Sequence, residues 1–293
     1  MHGIHPHKVK VTSGSLIHYV RFKSNFVEPR NVDVWLPDGY SSNEQYAVLY
    51  MHDGQMLFDG SRTWNNAEWK VDETLGKLHN DKEIRECIIV GIWNIPEKRY
   101  ADYFPEKIIK DIPEPARTAI LTKQIKGHPS GDNYLKFIVR ELKPFIDHTY
   151  ATFRDVDNTF IIGSSMGGLI SVYALCEYPD VFGGAACLSF HSPLASFSLI
   201  NHETDEAVAS KFRNYLFKHL PPLNTRKIYF DYGDKGGDDV YKPYQTAIDE
   251  IMKQKGYTEL YWQTRFFPGE NHSEQSWAKR LYIPLIFLLK KTD

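Results

Sequence analysis

Short apolar runs alternate with amphipathic stretches along most of the chain, and this alternation restricts the possible folds more than any other feature. The runs predict strands at residues 46–51, 87–93, 159–162, 185–189, 227–232 and 261–267. Several are apolar almost throughout, as is typical of strands buried on both faces of a largely parallel sheet. Between the runs, apolar residues recur at helical spacing, as at Leu135, Ile138, Leu142, Phe145 and Ile146.

This alternation predicts the α/β fold class, with a mostly parallel central sheet and helices on both faces. The start of the chain differs, because residues 9–22 and 31–36 predict a β-rich N-terminal part. In α/β sheets, ligands bind beyond the carboxyl ends of the strands. We therefore expect the functional residues in the loops at that edge.

The 293 residues contain no internal repeat, low-complexity tract or linker, which predicts a single domain over residues 1–293. One segment, at about residues 99–133, is charged and contains Pro105, Pro113, Pro115 and Pro129. A connection of that length inside a domain is often a lid or a functional loop. A solvated insertion is the alternative.

Charge and hydropathy exclude several classes of partner. The formal net charge is only −2, from 35 basic and 37 acidic residues, so nothing favours binding to nucleic acid. No run of 18 apolar residues occurs, and we expect no membrane span. The N-terminus of the chain as given has no apolar signal-peptide region. A mature periplasmic or secreted form and a cytoplasmic protein both remain open.

A Gly-x-Ser-x-Gly motif at residues 163–167 lies between a predicted strand and an apolar helical stretch. This is the context of a nucleophile elbow, a strained strand-to-helix turn that exposes the hydroxyl of its serine. The motif predicts Ser165 as a nucleophile. The backbone N–H of Met166, at the start of the helix, is a candidate donor to an oxyanion.

A serine nucleophile needs a general base, and in this fold a histidine provides it after the serine in the chain. The histidines in question are His191, His202, His219 and His272. His272 follows the last predicted strand, which suits a base at the carboxyl edge of the sheet. His202 and His219 flank a polar helical stretch and are expected at the surface, and His191 is expected to line the substrate pocket.

The acid that orients the base should follow the strand at 227–232, where the loop contains Asp234, Asp238 and Asp239. Spacing alone does not choose among these three carboxylates. A second oxyanion donor should follow the strand at 46–51, where Gly54 and Gln55 offer backbone N–H groups.

The neighbouring His52 and Asp53 are an alternative charge pair or metal site. Because no further ligand spacing accompanies them, we expect no metal. The three cysteines are far apart and are expected to be buried free thiols.

Three segments together resemble the putative esterase family of α/β-hydrolases: YMHDGQMLF at 50–58, GSSMGG at 163–168 and FPGENHSE at 267–274. The family includes feruloyl and acetyl esterases, siderophore esterases, S-formylglutathione hydrolases and mycolyltransferases of the antigen 85 type. The resemblance extends from NVDVWLP at 31–37 to the C-terminal helix and implies an α/β-hydrolase fold.

The resemblance implies a serine esterase that works through an acyl-enzyme without cofactor or metal. It implies Ser165 as nucleophile, His272 as base, and the N–H groups of Met166 and Gln55 as the oxyanion hole. The family's acid loop has an aspartate five residues after a glycine. This spacing implies Asp238 after Gly233, with Asp234 and Asp239 in reserve because the loop lacks the family's Thr and Glu.

A small-molecule or saccharide-linked ester is the expected substrate, with an acylated carbohydrate or a feruloyl- or acetyl-type ester as the leading class. Trp64, Arg99, Phe190 and His191 are the residues predicted to bind it. A siderophore (enterochelin-type) esterase, an acyltransferase and a catalytically inactive carbohydrate-binding module are the alternatives. The oligomeric state is not predicted.

Seven residues lie on loops expected to reach the substrate: Trp64, Trp93, Arg99, Tyr103, Phe104, Phe190 and His191.

Overall fold

Nine strands form one mixed sheet in a computed structural model of the chain, which describes residues 6–192 and 202–290. The strand order is β1-β2-β3-β5-β4-β6-β7-β8-β9. The neighbours from β5 to β9 pair in parallel, and β1, β2 and β3 extend the sheet by antiparallel pairing. The strands are β1 (Pro6–Val9), β2 (Ser15–Phe22), β3 (Arg30–Leu36), β4 (Ala47–His52), β5 (Cys87–Ile92), β6 (Thr159–Ser164), β7 (Gly184–Leu188), β8 (Lys227–Lys235) and β9 (Trp262–Asn271). The predicted mostly parallel sheet with a β-rich N-terminal part is confirmed.

Helices fill the connections between the parallel strands. Short 3-10 and π-helical segments join some of them, and the chain from 131 to 149 is continuously helical through a π-helical segment, Ile138–Leu142. The α-helices are α1 (Val71–Asn80), α2 (Arg99–Asp102), α3 (Ala116–Ala119), α4 (Gly131–Phe137), α5 (Lys143–Thr149), α6 (Met166–Glu177), α7 (His202–His219), α8 (Lys242–Gln254), α9 (Glu274–Arg280) and α10 (Tyr282–Leu289).

The hydrophobic core lies on both faces of the sheet. Along β4, Val48 and Tyr50 belong to one buried cluster, whereas Leu49 and Met51 belong to a second cluster on the opposite face. Successive side chains of a strand point to opposite faces, so a strand covered on both faces is apolar throughout. Helix α6 is buried from Met166 to Cys176, which explains why it lacks a polar face.

The segment at 99–133 is packed onto the body of the molecule. It forms α2, a 3-10 helix, α3 and a π-helical segment, and its apolar side chains at Ile108, Ile112, Ala116 and Ile120 are buried in the larger core cluster. That this segment is a lid or a functional loop stays a prediction. That the chain is one domain over 1–293 stays a prediction.

Two further expectations concern the chain as a whole. Cys87, Cys176 and Cys187 are buried free thiols, as predicted. Within residues 6–192 and 202–290, no helix is long and apolar enough to cross a membrane.

Candidate active site

Ser165 stands in a strained turn between β6 and α6. Its backbone angles are φ 55° and ψ −124°, a conformation that L-residues rarely adopt. The turn is held by hydrogen bonds from Ser165 N–H to the Leu188 carbonyl, at 3.0 Å, and from His191 N–H to the Ser165 carbonyl, also at 3.0 Å. A Cβ atom on Gly163 would lie 2.6 Å from the backbone carbon of Gly167, so the tight turn requires a glycine there.

A cleft of about 600 Å³ opens at the carboxyl edge of the sheet, and both Ser165 and His272 line it. Its wall is formed by the end of β6 and by the segments that follow β4, β5, β6 and β9, including the first residue of α2 and part of α9. The remaining lining residues are Asp53, Gln55, Met56, Trp64, Asn65, Trp69, Asn94, Pro96, Arg99, Ser164, Ser273, Glu274 and Trp277.

His272 directly follows β9 and contacts Asp238, which lies in the turn after β8. The distance from His272 Nδ1 to Asp238 Oδ1 is 2.7 Å. Because an ionised carboxylate can only accept, Nδ1 carries the proton and Nε2 is left as the basic nitrogen. The other two candidate carboxylates bond elsewhere: Asp234 accepts from Gly269 N–H and Asp239 from Gly237 N–H. The structure therefore brings Asp238 to the histidine.

The carboxylate of Asp238 is completely buried and accepts several hydrogen bonds. Its Oδ2 accepts from Ser189 Oγ at 2.6 Å and from Gly233 N–H at 2.7 Å. Burial acts to raise the pKa of Asp238, but the hydrogen bonds from His272 and Ser189 hold that pKa below its ordinary value. Asp238 is therefore ionised at neutral pH.

The loop after β4 is fixed by an ion pair. Asp53, itself in the left-handed conformation at φ 56°, accepts two hydrogen bonds from Arg99, at 2.8 and 2.9 Å. Asn94 Nδ2 donates to the same carboxylate at 2.6 Å. Burial acts to raise the pKa of Asp53, and Arg99 overcomes this effect and lowers it. This pair shapes the turn that presents Gln55 to the cleft.

His52 bonds to Tyr134 and not to the neighbouring carboxylate of Asp53. It is buried, and its Nδ1 lies 2.8 Å from the hydroxyl of Tyr134. Burial lowers the pKa of His52 to about 3, against the opposing charge of Asp53, so His52 is neutral. Among the residues that the structure describes, no group of three or more His, Cys, Asp and Glu side chains could hold a metal ion.

The residues predicted to bind substrate fall into three groups. Trp64 and Arg99 line the cleft, and Trp64 is 84% exposed at its rim. His191 is not among the lining residues: its backbone N–H donates to the Ser165 carbonyl, and its Nδ1 lies 3.1 Å from the hydroxyl of Tyr241. Phe190 is only 2% exposed and packs in the core against Phe230.

Three more aromatic residues expected at the rim serve as packing instead. Tyr103 and Phe104 are completely buried. Trp93 is half-buried, and its indole N–H donates to Asp33 at 2.6 Å. Side chains that begin in loops can point into the core, and the sequence gives no periodic signal for their direction.

Two residues near the site, Tyr241 and Trp277, are not predicted by any motif of the sequence. Tyr241 is buried, and its ring makes edge contacts with the rings of His191 and His272. Burial raises the pKa of Tyr241, so the hydroxyl stays protonated. Trp277 packs edge-on against His272. Tyr241 directly precedes α8 and Trp277 lies within α9, and no motif distinguishes either of them from ordinary core residues.

Comparisons with known proteins identify the family of the chain. The family model described as "Putative esterase" matches residues 24–287. The uncharacterized protein YbbA of Bacillus subtilis (strain 168) is 28% identical over 270 residues, covering 89% of this chain and 93% of that protein. The chain therefore belongs to the esterase family of α/β-hydrolases, and it is an esterase.

Solved structures show the same fold. A ferulic acid esterase from Anaeromyces mucronatus, determined in complex with ferulic acid, superposes with a TM-score of 0.60 at 19% identity, covering 98% of this chain and 94% of the other. The enterobactin esterase FES from Shigella flexneri superposes with a TM-score of 0.65 at 15% identity, covering 97% of this chain and 61% of the other. Both likenesses concern the α/β-hydrolase fold.

Proposed function

We propose that the protein hydrolyses carboxylic esters through an acyl-enzyme formed on Ser165. The observation that carries this proposal is the shared cleft: a serine in a strained elbow and a histidine with its Nδ1 on a buried carboxylate line the same wall. In such an arrangement the histidine can take the serine proton through Nε2 while the carboxylate fixes its tautomer.

The first half of the reaction forms the acyl-enzyme. Ser165 Oγ attacks the ester carbonyl carbon, and His272 Nε2 takes the proton that the hydroxyl loses. The backbone N–H groups of Met166 and Gln55 stabilise the negative charge on the carbonyl oxygen. When the tetrahedral intermediate collapses, the bond to the alkoxy group breaks, and His272 returns its proton to the departing alcohol.

The second half releases the acid. A water molecule takes the place of the alcohol, gives its proton to His272 and attacks the acyl carbon. Collapse of this second intermediate breaks the bond to Ser165 Oγ, which regains its proton from His272. Asp238 remains ionised throughout and stabilises the imidazolium that forms twice in each cycle.

The cleft favours a neutral ester with an aromatic or sugar ring. Trp64 presents an exposed ring at the rim, a surface on which a phenolic or sugar ring can stack. The charged residues on the described wall are Asp53, Arg99 and Glu274, and Arg99 is already neutralised by Asp53. A polyanionic ferric catecholate would find no free cation among these residues, which supports a phenolic or acylated-carbohydrate ester over a siderophore.

Hydrolysis of 4-nitrophenyl acetate, 4-nitrophenyl butyrate and methyl ferulate tests the proposal. Wild type should turn over at least one of these esters, and Ser165→Ala should lose that turnover by about 10⁴-fold or more, since the nucleophile is removed. Folded Ser165→Ala that retains wild-type turnover would contradict the assignment. So would folded wild type with no activity on any ester offered, including acetylated and feruloylated saccharides.

A further inference from the structure

A buried polar cluster contacts Asp238 through Oδ2, the carboxylate oxygen that does not bond to His272, and the proposed reaction makes no use of it. The cluster consists of Ser189, which follows β7, Asp231 on β8, and Trp277 and Arg280 on α9. All four are buried, and Ser189 and Asp231 are completely so. Burial of an ion pair and a hydroxyl costs free energy of folding unless each polar group forms hydrogen bonds. The bonds that these four residues make therefore indicate what the cluster does.

The Ser189 hydroxyl is the group that links this cluster to Asp238. Its oxygen lies 2.6 Å from Asp238 Oδ2, and it accepts from Arg280 Nη2 at 2.8 Å and from Trp277 Nε1 at 3.0 Å. A hydroxyl has one proton and two lone pairs. Because two donors occupy the lone pairs, the single proton of Ser189 must be given to Asp238.

Arg280 is held in place from its other side. Asp231 accepts from Arg280 Nη2 at 2.9 Å and from its Nε at 3.2 Å, and the guanidinium lies over the ring of Phe267. Arg280 Nη2 is also 3.8 Å from Asp238 Oδ2. The positive charge of Arg280 is thus shared between two carboxylates, with Asp231 the nearer.

The backbone of Ser189 is constrained to make this bond. Its φ is 41°, in the left-handed region that few residues other than glycine adopt. Two hydrogen bonds from the Ser189 N–H compensate for the strain. One goes to the backbone carbonyl oxygen of Asp231 at 2.9 Å, and the other to the side-chain Oδ1 of Asp231 at 3.1 Å. Strained backbone held by buried bonds is typical of functional positions.

We propose that Ser189 is a positioning residue of the esterase: with Arg280 and Asp231 behind it, its hydroxyl orients the Asp238 carboxylate and sets how strongly that carboxylate holds the His272 proton. The inference rests on the proposed function, because only that function gives His272 and Asp238 a part in the reaction. Each hydrogen bond that Asp238 receives from the cluster leaves less of its negative charge for His272.

Other charged and titratable groups also face the pair and stay unchanged in the variants below. Tyr241 packs against His272 from the segment before α8. The remaining groups share the cleft wall with His272: Glu274, Asp53 and Arg99.

The pH dependence of kcat/KM tests the proposal. In Ser189→Ala, Asp238 loses a donor and holds the imidazolium proton more tightly, so the acid limb of the profile should move up by about 0.5–1 pH unit. The plateau value of kcat/KM should fall about tenfold, as the carboxylate loses one of its fixed partners. Ser171→Ala is the matched control, because that buried serine donates to the Gly167 carbonyl and not to Asp238.

Asp231→Asn should shift the acid limb in the opposite direction. With the charge of Asp231 removed, more of the positive charge of Arg280 acts on Asp238, so the acid limb should move to lower pH. Opposite shifts in the two variants are a signature that loss of packing alone would not produce. If Ser189→Ala does not fold, the Asp231→Asn profile alone decides, and an upward shift or none would overturn the proposal.

An NMR titration separates this proposal from the proposed function. The pH midpoint of the His272 imidazole signal, assigned with His272→Gln, should move upward in folded Ser189→Ala and not in Ser171→Ala. This measurement needs no activity, so it stays decisive even if the protein hydrolyses none of the esters tested. A midpoint within about 0.2 pH unit of wild type in folded Ser189→Ala would overturn the role of Ser189.

Discussion

Gln55 contributes to the site through two different groups, its side chain and its backbone N–H. The side-chain oxygen accepts a hydrogen bond from Asn94 N–H at 3.2 Å, which ties together the loops after β4 and β5. The backbone N–H is the group proposed to stabilise the oxyanion, and a substitution that keeps the backbone also keeps it. The side chain is therefore expected to matter much less than the main chain.

Gln55→Ala should lower kcat/KM by less than about tenfold, because one neutral hydrogen bond between loops is lost. Steady-state hydrolysis of the ester that wild type uses best is the measurement, with the melting temperature as a check on folding. A loss of about 10²-fold or more in a folded variant would instead show that the side chain itself acts on the transition state.

Among individual residues, the sequence predicts those members of the site that belong to local motifs. The glycines around Ser165 and the loop before His272 carry their signal within a few residues. Asp238 could not be chosen from the chain alone, because three aspartates share its loop and only burial and tertiary contact distinguish them. The prediction that Phe190 binds substrate is wrong, because a residue just past a strand can point into the core as readily as into the cleft.

Around Ser165, the backbones of β6 and α6 lie in direct contact, which leaves no room for a side chain at Gly163. Gly163→Ala would place a Cβ within 2.6–2.9 Å of three backbone atoms of Gly167, none of which can rotate away. We expect α6 to be pushed off the sheet and the Tm to fall by at least about 5 °C.

Gly60→Ala is the control for this prediction, because its new Cβ would come no closer than 3.3 Å to a neighbouring atom. Thermal unfolding followed by circular dichroism compares the two variants. An equal, small effect in both would contradict the packing argument.

Strands were more predictable than the segment at 99–133. The apolar run at 46–51 differs from β4 by one residue at each end. β9 continues to Asn271, whereas the apolar run predicted a strand that ends at residue 267. At 99–133 the prolines and charges suggested a loop. The buried residues Ile108, Ile112, Ala116 and Ile120 belong to several short segments separated by prolines, so no single periodicity predicts their burial.

Over the whole molecule, buried neutral histidines make stability depend on pH. The pKa of His52 is about 3 in the folded chain, against an ordinary value of 6.5. Between these values the unfolded chain binds a proton that the folded chain does not. The free energy of unfolding should therefore fall as the pH is lowered from about 6.5 towards 3, by up to about 1.4 kcal/mol per pH unit for this group.

His52→Gln should reduce this slope, since glutamine does not titrate and can still bond to Tyr134. Urea unfolding at pH 7, 6 and 5 measures it, with the exposed His128→Gln as the control that should leave the slope unchanged. A slope in His52→Gln equal to that of wild type would contradict the assignment of the pH dependence to His52.

The most direct test of the account is covalent labelling with a fluorophosphonate, followed by intact mass and peptide analysis. Such a probe phosphonylates a serine only when a base activates it, so it reports on the nucleophile without any choice of ester. We expect one adduct on wild type, located at Ser165, no adduct on Ser165→Ala and a greatly reduced rate on His272→Ala. No adduct on folded wild type, or an adduct at another residue, would contradict the claim that Ser165 is an activated nucleophile.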